Sequence, residues 1–233
     1  MKGRKGRTGR VAVGISVALI AVFGAGCFAQ QPPPPTSVKW LVYGDSLSVE
    51  AQSYLAPYGT VGQRIFDGTA PCTWLGNLDS DASSFAPQKV LLQFIGNLPS
   101  CINGRDPQTA YTDDLTTLAS FWKARAVSAV MVISPKTPTD NLAWARQAEL
   151  TVAANLGLPV DDAGQAVMLN GAFTYFLPCL PQETVTQGCG SELSSQIRVR
   201  DADGVHFGTS SSTGSYSSGA YRFATAEAQS RTR

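Results

Sequence analysis

Short apolar runs alternate along this chain with segments that can be helical, and that alternation narrows the fold more than any other feature. Residues 38–43 (VKWLVY), 90–95 (VLLQFI) and 127–134 (VSAVMVIS) read as strands, residues 61–66 (VGQRIF) as a weaker one, and 158–160 (LPV) as a short apolar run. Residues 48–55, 112–126 and 141–156 suit helices, and a last helix is predicted over 220–228. Within 112–126, Leu115, Leu118, Phe121 and Trp122 recur at helical spacing, and Asp113 and Asp114 are expected to place negative charge in the first turn. The order strand, helix, strand predicts a three-layer α/β/α sandwich around a mainly parallel sheet. Ligands in such folds lie beyond the carboxyl ends of the strands, which gathers Ser46, Gly68, Asn97 and the residues after Ser134 at one edge. Residues 209–218, rich in Ser and Thr, read as a loop or the start of the last helix and carry no functional signal.

The first residues stand apart from this pattern. Lys2, Arg4, Lys5, Arg7 and Arg10 precede the uncharged apolar stretch 11–27, the layout of an export signal. Extended to Ala29, the run is also long enough to anchor in a thin bilayer. Residues 1–29 are therefore read as a signal peptide or N-terminal membrane anchor, and the protein as exported, secreted or associated with the cell envelope. Cys27 lies in an imperfect lipidation box, with Gly24 where a bulky apolar residue is expected, so ordinary cleavage or retention is favoured over lipidation. Residues 30–36, with prolines at 32 to 35, form a stiff spacer, and one folded domain is expected over 37–233. Removing residues 1–27 takes away five of 18 basic residues and none of 17 acidic ones, leaving 13 against 17, a net charge near −4. With no basic stripe interleaved with aromatics in the remainder, a nucleic-acid partner is not expected.

Four cysteines follow Cys27: Cys72, Cys101, Cys179 and Cys189. An even number in an exported chain argues for two disulfides. Three pairings are open; the nearest-neighbour one, Cys72–Cys101 and Cys179–Cys189, closes two moderate loops and is the expectation. A single histidine and no close Cys-x-x-Cys pair give little support for a metal cluster.

The candidate chemistry starts at Ser46, in Gly44-Asp45-Ser46-Leu47 directly after the first strand. A serine hydroxyl becomes a useful nucleophile when a base lies within hydrogen-bond reach and a third group orients that base. His206 is the only histidine, and Asp203 three residues earlier is spaced to meet one ring nitrogen across a turn; Asp201 is a less compact alternative. Developing negative charge needs donors, for which Asn97 at a strand end, Gly68 in FDGTAPC and the Ser46 N–H are candidates. The Gly-x-Ser-x-Gly elbow of α/β-hydrolases does not fit, since Asp45 and Leu47 flank the serine.

Together these blocks resemble the SGNH, or GDSL-type, serine hydrolases. Gly44-Asp45-Ser46-Leu47, Gly68, Gly96-Asn97 and Asp203-Gly204-Val205-His206 match the family's blocks in order and span nearly the whole domain. The resemblance implies a flavodoxin-like sheet, Ser46 as nucleophile, His206 as base, Asp203 as its orienter, and an oxyanion hole from Ser46, Gly68 and Asn97. It implies a serine esterase that hydrolyses oxygen esters of lipid or carbohydrate substrates through an acyl-enzyme, as a monomer, with no metal or organic cofactor. Alternatives are an O-acyltransferase acting on cell-envelope glycans and a non-catalytic envelope-binding module on the same fold. One departure stands out: the third block commonly continues with an acidic residue, and here Leu98 follows Asn97. A bond bracing that loop is expected to be missing, with a Cys72–Cys101 bridge tying the Gly68 and Asn97 loops instead. Trp74, Trp122, Trp144 and Tyr175 are candidates to line the cleft, Trp74 nearest, although aromatics in such a chain more often belong to the core.

Overall fold

The computed structural model describes residues 37–190 and 195–231. The signal or anchor over 1–29, Cys27 and the spacer over 30–36 lie outside those residues. In chain order the elements are β1 (Trp40–Gly44), α1 (Ser46–Leu55), β2 (Thr60–Ile65), α2 (Pro71–Trp74), α3 (Leu78–Phe85), β3 (Lys89–Gln93) and α4 (Pro107–Lys123). They continue with β4 (Ser128–Val132), α5 (Ala143–Leu156), β5 (Val160–Asp161), β6 (Phe176–Pro178), β7 (Gln196–Arg198) and α6 (Ser218–Arg231). Five strands form a sheet in the order β2-β1-β3-β4-β5, every pair parallel, and β6 and β7 form a small antiparallel pair. This is the flavodoxin-like order, with the strand sequence reversing direction between β1 and β3.

The apolar runs follow from double coverage of the sheet. Leu41 and Tyr43 of β1, Val90 and Leu92 of β3, and Ala129 and Met131 of β4 face one core, closed by α4 and α5 residues such as Leu115, Leu118, Trp122 and Val152. Trp40 and Val42, Leu91, and Val130 and Val132 face the other, closed by Leu47, Ala51 and Leu55 of α1 and Phe223 and Ala224 of α6. A strand buried on both faces has no solvent side to mark, so it reads as continuous rather than alternating hydrophobicity. β2 is an edge strand with no fully buried residue, Val61 being exposed and the rest half-buried, which accounts for its weaker signal.

The helix expected over 112–126 starts five residues earlier. Asp106 caps it, accepting the Thr109 N–H at 2.9 Å, and Pro107 occupies the first helical position. An Asp cap followed by Pro is a stronger start signal than a later acidic pair. Asp113 and Asp114 consequently sit in the second turn, where Asp114 is buried and pairs with Arg105 at 2.6 Å. The last helix begins at Ser218, so most of 209–218 is loop. The disulfides are Cys72–Cys101 and Cys179–Cys189.

Candidate active site

β1, between β2 and β3, ends at Gly44, where a Cβ would stand 2.1 Å from Ser48 Oγ and 3.0 Å from the Gln93 carbonyl oxygen. Only glycine lets α1 start this close to the ends of β1 and β3. Asp45 then caps α1, its Oδ1 accepting the Leu47 N–H at 3.2 Å. Ser46 is the first helical residue; its N–H has no partner among the described residues and sits at the positive end of the helix dipole.

Ser46 Oγ lies 2.9 Å from His206 Nε2. On the far side of the ring, His206 Nδ1 is 2.6 Å from Asp203 Oδ2. Asp203 Oδ1 accepts the backbone N–H groups of Val205 at 2.8 Å and His206 at 3.0 Å, so one short turn fixes carboxylate and imidazole together. Asp201 does not orient the ring. Its N–H donates to the His206 carbonyl at 2.8 Å, and its carboxylate accepts the Ala202 N–H. Burial lowers the tendency of His206 to protonate, but the hydrogen bond and charge of Asp203, with the charges of Glu50 and Asp45, outweigh it and leave the imidazole above its ordinary pKa. Burial likewise opposes ionisation of Asp203, yet its bonds to His206 and Val205 hold that carboxyl below the usual range.

Asn97 and Gly68 approach the same strand end from opposite sides. Asn97 Nδ2 donates to Asp45 Oδ2 at 3.1 Å, and the Ile95 N–H donates to the same oxygen at 2.6 Å. This commits one of the two amide protons and leaves the other available. Asp45 is fully buried; desolvation pushes its carboxyl up to about 7 against the opposing bonds from Ile95 and Leu47, the His206 charge and the Asn97 bond. Gly68 sits at φ +73° in a turn closed by Thr69 N–H to the Phe66 carbonyl at 3.3 Å. Thr69 Oγ1 lies 2.7 Å from that carbonyl and 3.0 Å from the Gly44 carbonyl, tying the turn to the strand that delivers Ser46. Open space lies beside Gly68, with nothing within 4 Å of where a Cβ would stand.

The Asn97 loop has supports in place of an acidic residue at Leu98. Tyr111 of α4 donates its hydroxyl to the Asn97 carbonyl at 2.7 Å. Cys72, at the start of α2, is bonded to Cys101 in the helical turn Ser100–Ile102, with Cα atoms 6.0 Å apart. Sequence reasoning missed the bracing roles of Asp45, Thr69 and Tyr111; only Asp45 had a local signal, its position as a helix cap. Of the four candidate aromatics, Trp122 is core, Trp74 and Trp144 are half-buried against that core, and Tyr175 reaches the Asp203 loop, its hydroxyl 3.4 Å from the Ala202 carbonyl.

No protein-family model matches the sequence, and no curated protein matches it. Solved structures do share its fold. A GDSL-like lipase from Bacteroides thetaiotaomicron is 13% identical, covering 86% of this chain and 91% of its own at a TM-score of 0.51. A lipase/acylhydrolase from Enterococcus faecalis is 16% identical, with coverage of 83% and 94% and a TM-score of 0.50. Over more than four-fifths of its length, this chain has the fold of that GDSL-like lipase and of that lipase/acylhydrolase.

Proposed function

We propose that the protein is a serine esterase of the SGNH, or GDSL, type. The observation that carries this reading is the unbroken relay Ser46 Oγ, His206, Asp203, set at the carboxyl ends of the strands where the sheet order reverses. His206 takes the Ser46 proton as Oγ attacks an ester carbonyl, and Asp203 holds the imidazole with Nε2 facing the serine. The oxyanion is met by the Ser46 N–H, the Gly68 N–H and the uncommitted Asn97 amide proton. The imidazolium then protonates the leaving alcohol, and a water activated by His206 releases the acyl group. Phe66 and Leu98, 67% and 56% exposed, flank the two oxyanion loops and favour an ester with an alkyl part over a bare sugar acetate. Export, proposed from the basic and apolar N-terminal pattern, is supported by two disulfides, which persist in oxidising compartments.

The test uses p-nitrophenyl esters of increasing chain length and an alkylphosphonate probe. Turnover is expected in the native chain, with probe attached at Ser46 by peptide mass mapping. Ser46→Ala should lose both. His206→Ala should lose at least 10³-fold in kcat, on the order seen when a triad base is removed. Native turnover in Ser46→Ala would sink the assignment. Product analysis with added sugar acceptors separates hydrolysis from acyl transfer.

A further inference from the structure

Two charged side chains outside the Ser46–His206–Asp203 relay hold the backbone on either side of His206. Glu50, half-buried, stands one turn beyond Ser46 on α1, and its Oε2 accepts the Phe207 N–H at 2.7 Å. Arg200, only 1% exposed, donates from Nη1 to the Val205 carbonyl at 2.6 Å. Its guanidinium also lies 5.0 Å from the centroid of the Phe207 ring. With the Asp201 N–H on the His206 carbonyl, residues 205, 206 and 207 are each gripped through the main chain by a different anchor.

We propose that Glu50 is a positioning residue, and that Glu50 and Arg200 form a clamp that sets His206 against Ser46. Glu50 shares a helical turn with Ser46 and holds the residue after His206, so α1 carries both ends of the Ser46–His206 hydrogen bond. Rigid displacement of the helix then moves nucleophile and base together. The inference rests on the hydrolase reading above. The clamp has an electrostatic side as well. The imidazole is faced by Asp203 from its own loop, by Glu50 from α1 and by Asp45 from the turn before α1, and all three favour the imidazolium. Burial pushes the Glu50 carboxyl up, opposed by the Phe207 N–H, the His206 charge, the Gly208 N–H and, last, Arg200. Burial lowers Arg200 to about 10, opposed by Glu50 and Asp203, which leaves it charged at neutral pH.

His206 is the only histidine in the chain, so its ring-proton NMR signals can be followed without ambiguity. The experiment titrates the native chain, Glu50→Gln and Glu50→Ala by NMR, and measures kcat and KM for p-nitrophenyl acetate across pH. Glu50→Gln keeps an acceptor for the Phe207 N–H and removes the charge. Its His206 midpoint should fall by about half a pH unit, as expected for one partly screened charge, with plateau kcat within about threefold of native. Glu50→Ala also removes the acceptor, and its plateau kcat should fall roughly 10- to 100-fold at little-changed KM, the scale of a small misplacement of a reacting group. Equal plateau kcat in Glu50→Ala and Glu50→Gln overturns the positioning role, and an unmoved His206 midpoint in Glu50→Gln overturns the electrostatic one. If Glu50→Ala does not fold, Glu50→Asp replaces it, because it keeps the charge and shortens the reach. Lower plateau kcat with a native-like midpoint is then expected, and native kcat overturns the clamp. Should the native chain hydrolyse no ester, the hydrolase reading fails, and the NMR midpoints still test the charge of Glu50 on His206.

Discussion

Asp203 and His206 shift in opposite directions because each stabilises the charged form of the other. The raised imidazole contributes stability that is fully present below its ordinary value of 6.5 and is lost as pH rises through its folded value. The lowered carboxyl contributes stability present above 3.8 and lost as pH falls through its folded value. For the proposed reaction the same shift sets the acid limb: activity should fall as pH drops through a midpoint above 6.5, since the base must be unprotonated. Asp203→Asn should move that midpoint down and reduce kcat by up to about 10⁴-fold, because the amide no longer holds the productive tautomer; a pH–rate profile tests both effects. Glu149 is a buried acid of a different kind. Burial holds its carboxyl well above the usual range, and it contacts the N–H and hydroxyl of Ser134 at 3.2 and 3.1 Å. A raised carboxyl contributes stability that is present below 4.5 and lost as pH rises toward its folded value. Glu149→Gln should therefore lie within about 1 kcal/mol of native below pH 4.5, where both side chains are neutral, and should flatten the loss that the native chain shows as pH rises above 4.5, as read by urea denaturation across pH.

At the scale of elements, the site depends on how two loops are fastened to one strand end. Tyr111 reaches the Asn97 carbonyl only because α4 begins at Pro107 and so brings its first turns beside that loop. Tyr111→Phe should cost about 1 kcal/mol of stability for the lost hydrogen bond. It should also lower ester turnover severalfold at nearly constant KM; unchanged kcat would show that Asn97 is held without it. The strong strands and the helix over Ala143–Leu156 were legible because their apolar residues face cores on fixed periods. The short α2 and α3 were not, since four and eight residues carry too few periods to stand above loop sequence. The β6–β7 pair was equally hidden. Its three-residue strands are identified by pairing with each other, and pairing partners as far apart as Phe176 and Arg198 leave no local pattern.

The excursion between β5 and α6 is fixed to the rest of the molecule by a buried ion pair. Arg222 Nη2 lies 2.6 Å from Glu183 Oε2, with side chains 8% and 0% exposed, and also donates to the Pro178 carbonyl at 2.7 Å. Arg222→Ala should destabilise by about 3–5 kcal/mol, because Glu183 is left as an uncompensated buried charge. A loss below 1 kcal/mol in chemical denaturation would contradict that account. The sequence by itself determined the layered α/β class and the order of strands and helices, since strands covered on both faces must be apolar throughout. It also held the local blocks around Ser46, Gly68, Asn97 and His206, whose turns are built from residues a few positions apart. The tertiary structure alone decided which atoms meet. Ser46 and His206 are 160 positions apart, and their 2.9 Å contact depends on helix, strand ends and loop all being anchored at once. Glu50, Arg200 and Tyr111 are ordinary residues in their own segments; their roles exist only because packing brings a carboxylate, a guanidinium and a phenol against main-chain groups of distant loops.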